Sequence, residues 1–366
     1  MSEQLYPLRL VGRPVARVWG EQDTTGLLGR NIVKDEPIGE VWTAGDWEAG
    51  DRVLDGPLAG RTVAELLHEL GDAPLLGAAR RTPAGRFPLL VKWIGSAKDL
   101  SIQVHPDAEA SARIGEGAEP KTECWYILGA EPGAEIIFGL KVGATADAVA
   151  DGALDGSLEP MMNRIQVKRG DAVFVPSGMV HAICAGVRLL EVQENSDTTY
   201  RLYDYNRPGL DGKPRQLHVE QAHGSIKTGR ELPALGPSLA IRDGDCERRL
   251  RVACKRFWTE EIEIRGSAAV AVPGHSFLFF SVLDGAGAVS ANGQTVPLGR
   301  ADSALLPASL GCAEVHAPEG LTVLACGVPD LEKDIIAPLR AAGHADAEIA
   351  GLGGNLFGND LLELLT

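Results

Sequence analysis

A chain of 366 residues, 45% apolar and 23% charged, has the composition of a protein with a sizeable buried core and exceeds the usual single-domain length. Its net charge of −15 speaks against nucleic-acid and acidic-membrane partners, both of which need a basic surface. Six scattered cysteines with no C-x-x-C pair, an N-terminus without a basic-then-apolar pattern and no apolar run of spanning length argue against a disulfide scaffold, a cysteine zinc site and a membrane span, and point to buried thiols in a cytoplasmic protein.

The 44 Gly and 22 Pro are spread between short apolar runs, which favours a β-rich fold. Residues 54–76 depart from this pattern. Val63, Leu66, Leu67 and Leu70 recur at helical spacing, and Thr62 with Glu65 predicts a capped start. Strands are expected at 87–94, at 101–105 ending before Pro106, at 123–128 and at 134–138. The Ala- and Asp-rich stretch 144–162 predicts one or two short helices, and strands resume at 163–167, 172–175, 180–183 and 189–193. Prolines and glycines around Leu232 to Gly244 mark a linker; a second strand-rich block covers 251–328, and the tail from Asp330 to Thr366 reads as helical with a break at Gly351-Leu-Gly-Gly354. Asp171-Ala-Val-Phe-Val-Pro176 and Asp302-Ser-Ala-Leu-Leu-Pro307 form a weak internal repeat. Only the first copy continues to a histidine, His181, so only the N-terminal β block is expected to bind metal.

The spacing Gly170, Pro176, Gly178, His181 places an imidazole at the start of a return strand after a tight turn, and it matches the second sequence motif of the cupin superfamily. A satisfied core histidine is the bland alternative. On a strand, Gln103 and His105 share one face. Glu123 opens a strand 18 residues after His105 and offers the carboxylate that two imidazoles need to make a three-ligand zinc site with an open position. Gln103 is either a fourth ligand or a group that orients bound water.

Ser101-Ile-Gln-Val-His-Pro106, Lys121-Thr-Glu-Cys-Trp-Tyr126, Pro176-Ser-Gly-Met-Val-His-Ala182 and Asn195-Ser-Asp-Thr-Thr-Tyr-Arg-Leu-Tyr-Asp204 resemble the signature segments of type I phosphomannose isomerases, in the short bacterial form. Arg17-Val-Trp-Gly20, Ile38-Gly-Glu-Val-Trp42 and Phe87-Pro-Leu-Leu-Val-Lys92 add to the resemblance, which covers roughly residues 5 to 220 and weakens beyond. Thr122 stands where longer members often carry Pro, in keeping with the short form.

Composition alone gives a helical tail, 330–366, that matches no segment of the family. Ahead of it the resemblance, joined to the internal repeat, implies a mainly β protein of two cupin-like barrel or jelly-roll units with inserted helices, a catalytic unit over 1–235 and a metal-free β unit over 245–329. It implies one zinc ion on Gln103, His105, Glu123 and His181, with catalytic Arg201, Lys121, Asp197 and Glu191, and substrate or phosphate contacts from Lys92, Ser101, Lys121 and Arg201. The implied reaction interconverts mannose 6-phosphate and fructose 6-phosphate through an enediol. Its developing negative charge suits a metal ion and a planar guanidinium. The proton-abstracting base stays open among Lys121, Glu191 and Asp197. A small sugar phosphate is the expected partner, with the chain a monomer or homodimer. Two alternatives stand beside this reading: another metal cupin, such as a dioxygenase or a different sugar isomerase, and a non-catalytic sugar-phosphate-binding homologue.

Overall fold

The computed structural model describes residues 4–45, 47, 51–115, 117–228, 235–243, 246–354 and 357–365. These residues form a mainly β protein with three antiparallel sheets. One is six-stranded, in the order Arg13–Glu21, Ile38–Ala44, Leu89–Gly95, Val187–Glu194, Glu123–Ala130 and Ala172–Val175. The second has five strands, ordered Tyr200–Tyr203, Ile102–Val104, His181–Ile183, Glu135–Leu140 and Met162–Gln166. The third, of eight strands, is built mostly from the C-terminal block, with the long strands Trp258–Ala271, Leu278–Ala291 and Cys312–Gly327 at its centre.

The six-stranded sheet is the middle layer, and its alternation shows why. Val91, Trp93, Cys124, Tyr126, Leu190 and Val192 pack in one core with the eight-stranded sheet. Their in-between neighbours Ile94, Trp125, Ile127 and Leu189 pack against the five-stranded sheet. A period of two with both faces apolar is what a strand buried on both sides requires. The polar residues that share the second face, Lys92, Glu123 and Glu191, are therefore carried into the interior of the N-terminal sandwich. On the five-stranded sheet the parity is complementary. Ile102, Val104, Ala182, Tyr200 and Leu202 face outward into a core closed by helices such as Ala146–Asp155 and Val219–His223, leaving Gln103, His181 and Arg201 on the inner face.

The helix predicted within 54–76 spans Val63–Leu70, and Thr62 and Glu65 make the reciprocal capping hydrogen bonds. Gly71, at φ +77°, ends it, and a second short helix, Asp72–Leu76, follows. The linker expected around Leu232 to Gly244 falls partly outside the described residues; within it, Leu239–Asp243 is a strand of the eight-stranded sheet rather than a connection. The tail is helical as expected and folds onto the body, with Leu331, Leu339, Ile349, Leu352 and Leu361 buried in the shared core. Of the cysteines expected to be buried, Cys124, Cys184, Cys254 and Cys326 are; Cys246 is half-buried, and Cys312, which opens its strand opposite Ala271 at the end of Trp258–Ala271, is exposed.

Leu8–Leu10, which precedes the N-terminal sandwich in sequence, pairs antiparallel with Ser303–Leu306 of the eight-stranded sheet, Leu8 opposite Leu305. Both copies of the internal repeat form four-residue strands, Ala172–Val175 and Ser303–Leu306. They diverge after the proline: the second copy turns into the short 3-10 helix Ala308–Leu310.

Candidate active site

Strand register brings distant segments into line. Gln103 lies directly between His181 and Arg201 on neighbouring strands of the five-stranded sheet. On the facing sheet Glu191 lies between Lys92 and Trp125, and Gln193 lies beside Glu123. His105 follows the end of Ile102–Val104, and its carbonyl accepts the Gly178 N–H at 2.8 Å, which ties the turn before His181 to the other histidine.

His105, Glu123 and His181 are all buried, and their donor atoms lie within 4.8 Å of one another. They are the one such His, Cys or carboxylate group among the described residues. His105 Nδ1–H donates to the Thr198 carbonyl at 2.8 Å and His181 Nδ1–H to the Met179 carbonyl at 2.9 Å. These bonds fix the tautomer, so both rings present an unprotonated Nε2 to the Glu123 carboxylate, each at 3.4 Å. His105 Nε2 is buried with no hydrogen-bond partner. A buried acceptor without a donor is costly, and a cation shared with Glu123 and His181 would satisfy it.

Electrostatics keep the set ready for a cation. Burial, then the Lys121 ammonium, push His105 down to about 3, and burial likewise lowers His181, so both imidazoles are neutral at physiological pH, the form able to donate a lone pair to a cation. Burial opposes ionisation of Glu123, but its surroundings, the Lys121 ammonium foremost, outweigh it and hold the carboxyl well below its usual range. Lys121 Nζ is 2.9 Å from Glu123 Oε2; burial disfavours its charge, yet Glu123 and Glu191 raise its pKa on balance. Glu191 is pushed up, first by burial and then by the Glu123 charge, while Lys92 Nζ sits 3.1 Å away. The Trp125 indole N–H bridges the two acids, 3.1 Å from Glu123 and 3.2 Å from Glu191.

A pocket of about 670 Å³ opens onto this floor. Gln103, Glu123 and His181 line it, and His105 lies behind them. Lys92, Ser101, Lys121 and Glu191 form its inner wall; Asp197, which is exposed, and Arg201 also line it. Every residue named from sequence except His105 thus lines one cavity, and His105 Nε2 lies 3.4 Å from Glu123 of that lining. Gln103 presents its amide nitrogen to His181 Nε2 at 3.3 Å, and its oxygen is 3.2 Å from the Ser101 hydroxyl.

Arg17, Glu40, Trp125, Arg215 and His218 also line the cavity and were not among the sequence candidates. Arg17 and Glu40 sit in Arg17-Val-Trp-Gly20 and Ile38-Gly-Glu-Val-Trp42, where strand parity was the available signal. Arg17 Nη2 donates to Glu40 Oε2 at 2.8 Å, and so does the Trp42 indole N–H, also at 2.8 Å. Arg215 lies in a connection without periodicity, and nothing local announces it.

The family model "Phosphomannose isomerase type I, catalytic domain" matches residues 11–129. The mannose-6-phosphate isomerase ManA of Bacillus subtilis is 35% identical over 300 residues, 81% of this chain and 91% of its own length. The crystal structure of the mannose 6-phosphate isomerase from Bacillus subtilis superimposes with a TM-score of 0.78 at 31% identity, covering 88% of this chain and 99% of that one. A mannose 6-phosphate isomerase solved with zinc and yttrium bound shares the fold at a TM-score of 0.67 and 17% identity, over 88% of this chain and 99% of its own. Identity at this level over four-fifths of the chain, together with one buried His–Glu–His set on the inner faces of a β-sandwich, makes this chain a member of the type I phosphomannose isomerase family.

Proposed function

We propose that this chain is a zinc-dependent aldose–ketose isomerase that interconverts mannose 6-phosphate and fructose 6-phosphate through an enediol. The observation that carries the reading is the buried His105–Glu123–His181 set at the floor of the pocket that also holds Lys92, Lys121 and Arg201. His105, Glu123 and His181 would hold the zinc, and Gln103 joins them once its amide turns its oxygen inward. Bound zinc supplies Lewis-acid stabilisation of negative charge on the substrate oxygens. Lys92, Ser101, Lys121 and Arg201 bind the anionic sugar, with Arg201 placed beside Gln103 to steady the enediolate oxygen. Lys121, Glu191 and Asp197 are the groups available to move the proton between C1 and C2. Gln103 and the fixed cations Lys121 and Arg201 favour an anionic sugar over oxygen activation by an iron centre.

Catalysis is assigned to residues 1–235, with 245–329 as a second, metal-free cupin-like unit and 330–366 as its helical cover. The enzyme works in the cytoplasm as a monomer or homodimer; no helix among the described residues is long and apolar enough to cross a membrane. A coupled assay of mannose 6-phosphate conversion tests the reading. Turnover is expected to fall at least about tenfold after chelation and to return with one equivalent of zinc. Full activity in metal-free protein, or stoichiometric iron with oxygen uptake, would overturn it.

A further inference from the structure

A sugar 6-phosphate carries its reacting carbons and its dianion at opposite ends, so a site for it needs two poles. The cations nearest the metal ligands are already matched. Lys92 is paired with Glu191 and Lys121 with Glu123, each pair buried, so their charge serves chiefly to let those acids stay ionised inside the protein.

At the mouth of the pocket the cations outnumber their ion-pair partners: among the described residues Arg17, Arg201, Arg207 and Arg215 share only Glu40 and Asp204 in ion pairs. Arg17 comes from an edge strand of the six-stranded sheet, and Arg201 from the edge strand Tyr200–Tyr203 of the facing sheet. Arg215 comes from the connection after that strand. All three line the same cavity. Asp204 is one buried carboxylate shared by two guanidiniums. It accepts from Arg215 Nε at 2.7 Å and Nη2 at 2.5 Å, and from Arg207 Nη2 at 2.8 Å. Arg17 uses Nη2 on Glu40 and remains partly exposed towards the cavity. Among the described residues Arg201 has no ion-pair partner, and its buried Nε has no acceptor. Burial and then the like charge of Arg215 push the Arg201 guanidinium down from its ordinary value against the opposing charges of Asp204 and Asp197, with Arg17 adding least. Guanidiniums brought together from two sheets and a connection, with fewer acids than cations among them, favour an anion in their midst, and planar N–H forks suit phosphate oxygens.

Building on the isomerase reading above, we propose that Arg17 and Arg215 form the anion pole of the site, holding the phosphate dianion at the mouth beside Arg201 while the sugar's C1–C2 end lies on the metal-side floor. Asp204 is a positioning residue: by taking two donors of Arg215 it fixes the guanidinium and leaves Nη1 for the ligand.

Arg17→Met and Arg215→Met test this in the full-length, zinc-loaded enzyme, with inorganic phosphate as a competitive probe. Each variant is expected to raise KM for mannose 6-phosphate about 10- to 100-fold and to raise the inhibition constant of inorganic phosphate in parallel. KM for unphosphorylated mannose should move far less, and kcat should fall much less than KM rises. Unchanged phosphate inhibition in both variants would overturn the proposal, and so would an equal penalty on mannose and mannose 6-phosphate. Should Arg215→Met lose its fold, seen as a lowered melting temperature or lost zinc, Arg17→Met and Arg215→Lys carry the same expectation. If the wild-type chain bound inorganic phosphate through these arginines but isomerised no sugar phosphate, the isomerase reading would fall and the anion pole would stand.

Discussion

A single hydrogen bond decides what each histidine can do. Because the Nδ1–H groups of His105 and His181 are spent on backbone carbonyls, the rings cannot rotate away or exchange tautomers, and their Nε2 lone pairs stay aimed at Glu123. The acids around the pocket follow a similar logic, and Asp204 shows it in a form that pH can read. Burial opposes its ionisation, but Arg215 and Arg207 hold its carboxyl below the usual range. A folded-state pKa below the unfolded one gives stability that is fully present above the ordinary carboxylate value. That stability is lost as pH falls through the depressed value. Asp204→Asn is therefore expected to cost about 2–4 kcal/mol at pH 7, measured by urea unfolding. The gap to wild type should close steadily below about pH 4; a gap independent of pH would show that Asp204 contributes through packing alone.

At the scale of the element, the turn from 176 to 180 is the part most finely specified. Gly178 has φ +91°, its N–H holds the His105 carbonyl, and its own carbonyl accepts from Lys227 N–H at 2.9 Å. A Cβ there would lie 2.7 Å from Lys227 Cγ and 3.1 Å from the Ser225 carbonyl oxygen. Gly178→Ala should destabilise the protein by about 1–3 kcal/mol and weaken zinc binding, since strain in the turn moves both histidines. Zinc titration with a competing chelator checks this; unaltered affinity would mean that the histidines are placed by their strands alone.

This turn was legible in the sequence because Pro176, Gly178 and His181 are local. So were the capped helix at Thr62 and the alternation that puts Gln103 and His105 on one face. What was not legible depends on pairing between remote segments. Nothing near Arg215 shows that it would meet Asp204, and nothing in Arg17-Val-Trp-Gly20 says that its strand lies at an edge facing Arg201. Leu239–Asp243 was hidden for another reason: its neighbouring Pro and Gly residues look like a connection, and only hydrogen bonds to Cys246–Ala253 reveal a strand.

Across the whole molecule, the middle sheet couples the halves. One continuous core joins Trp93 and Leu190 of the six-stranded sheet to Phe279 and Leu305 of the eight-stranded sheet. The site sheet and the C-terminal sheet should therefore unfold together. Leu8, fully buried opposite Leu305, offers the test. Leu8→Ala is expected to cost about 2–5 kcal/mol and to shift one calorimetric transition as a whole, lowering the melting point of the metal site with that of the distant sheet. Two separated transitions, with zinc retained through the first, would show that the halves melt independently.

The pairing of Leu8–Leu10 with Ser303–Leu306 also has a meaning in time. On the ribosome, Leu8 is made almost 300 residues before Leu305. At about 5–20 residues per second that is a wait of roughly 15–60 s. The metal-binding sandwich can assemble during this interval, while the segment ahead of it has only Arg52–Leu54 to pair with along one edge. The C-terminal sheet thus takes in a segment made long before it, and until then an apolar strand must keep its other edge open without finding the wrong partner.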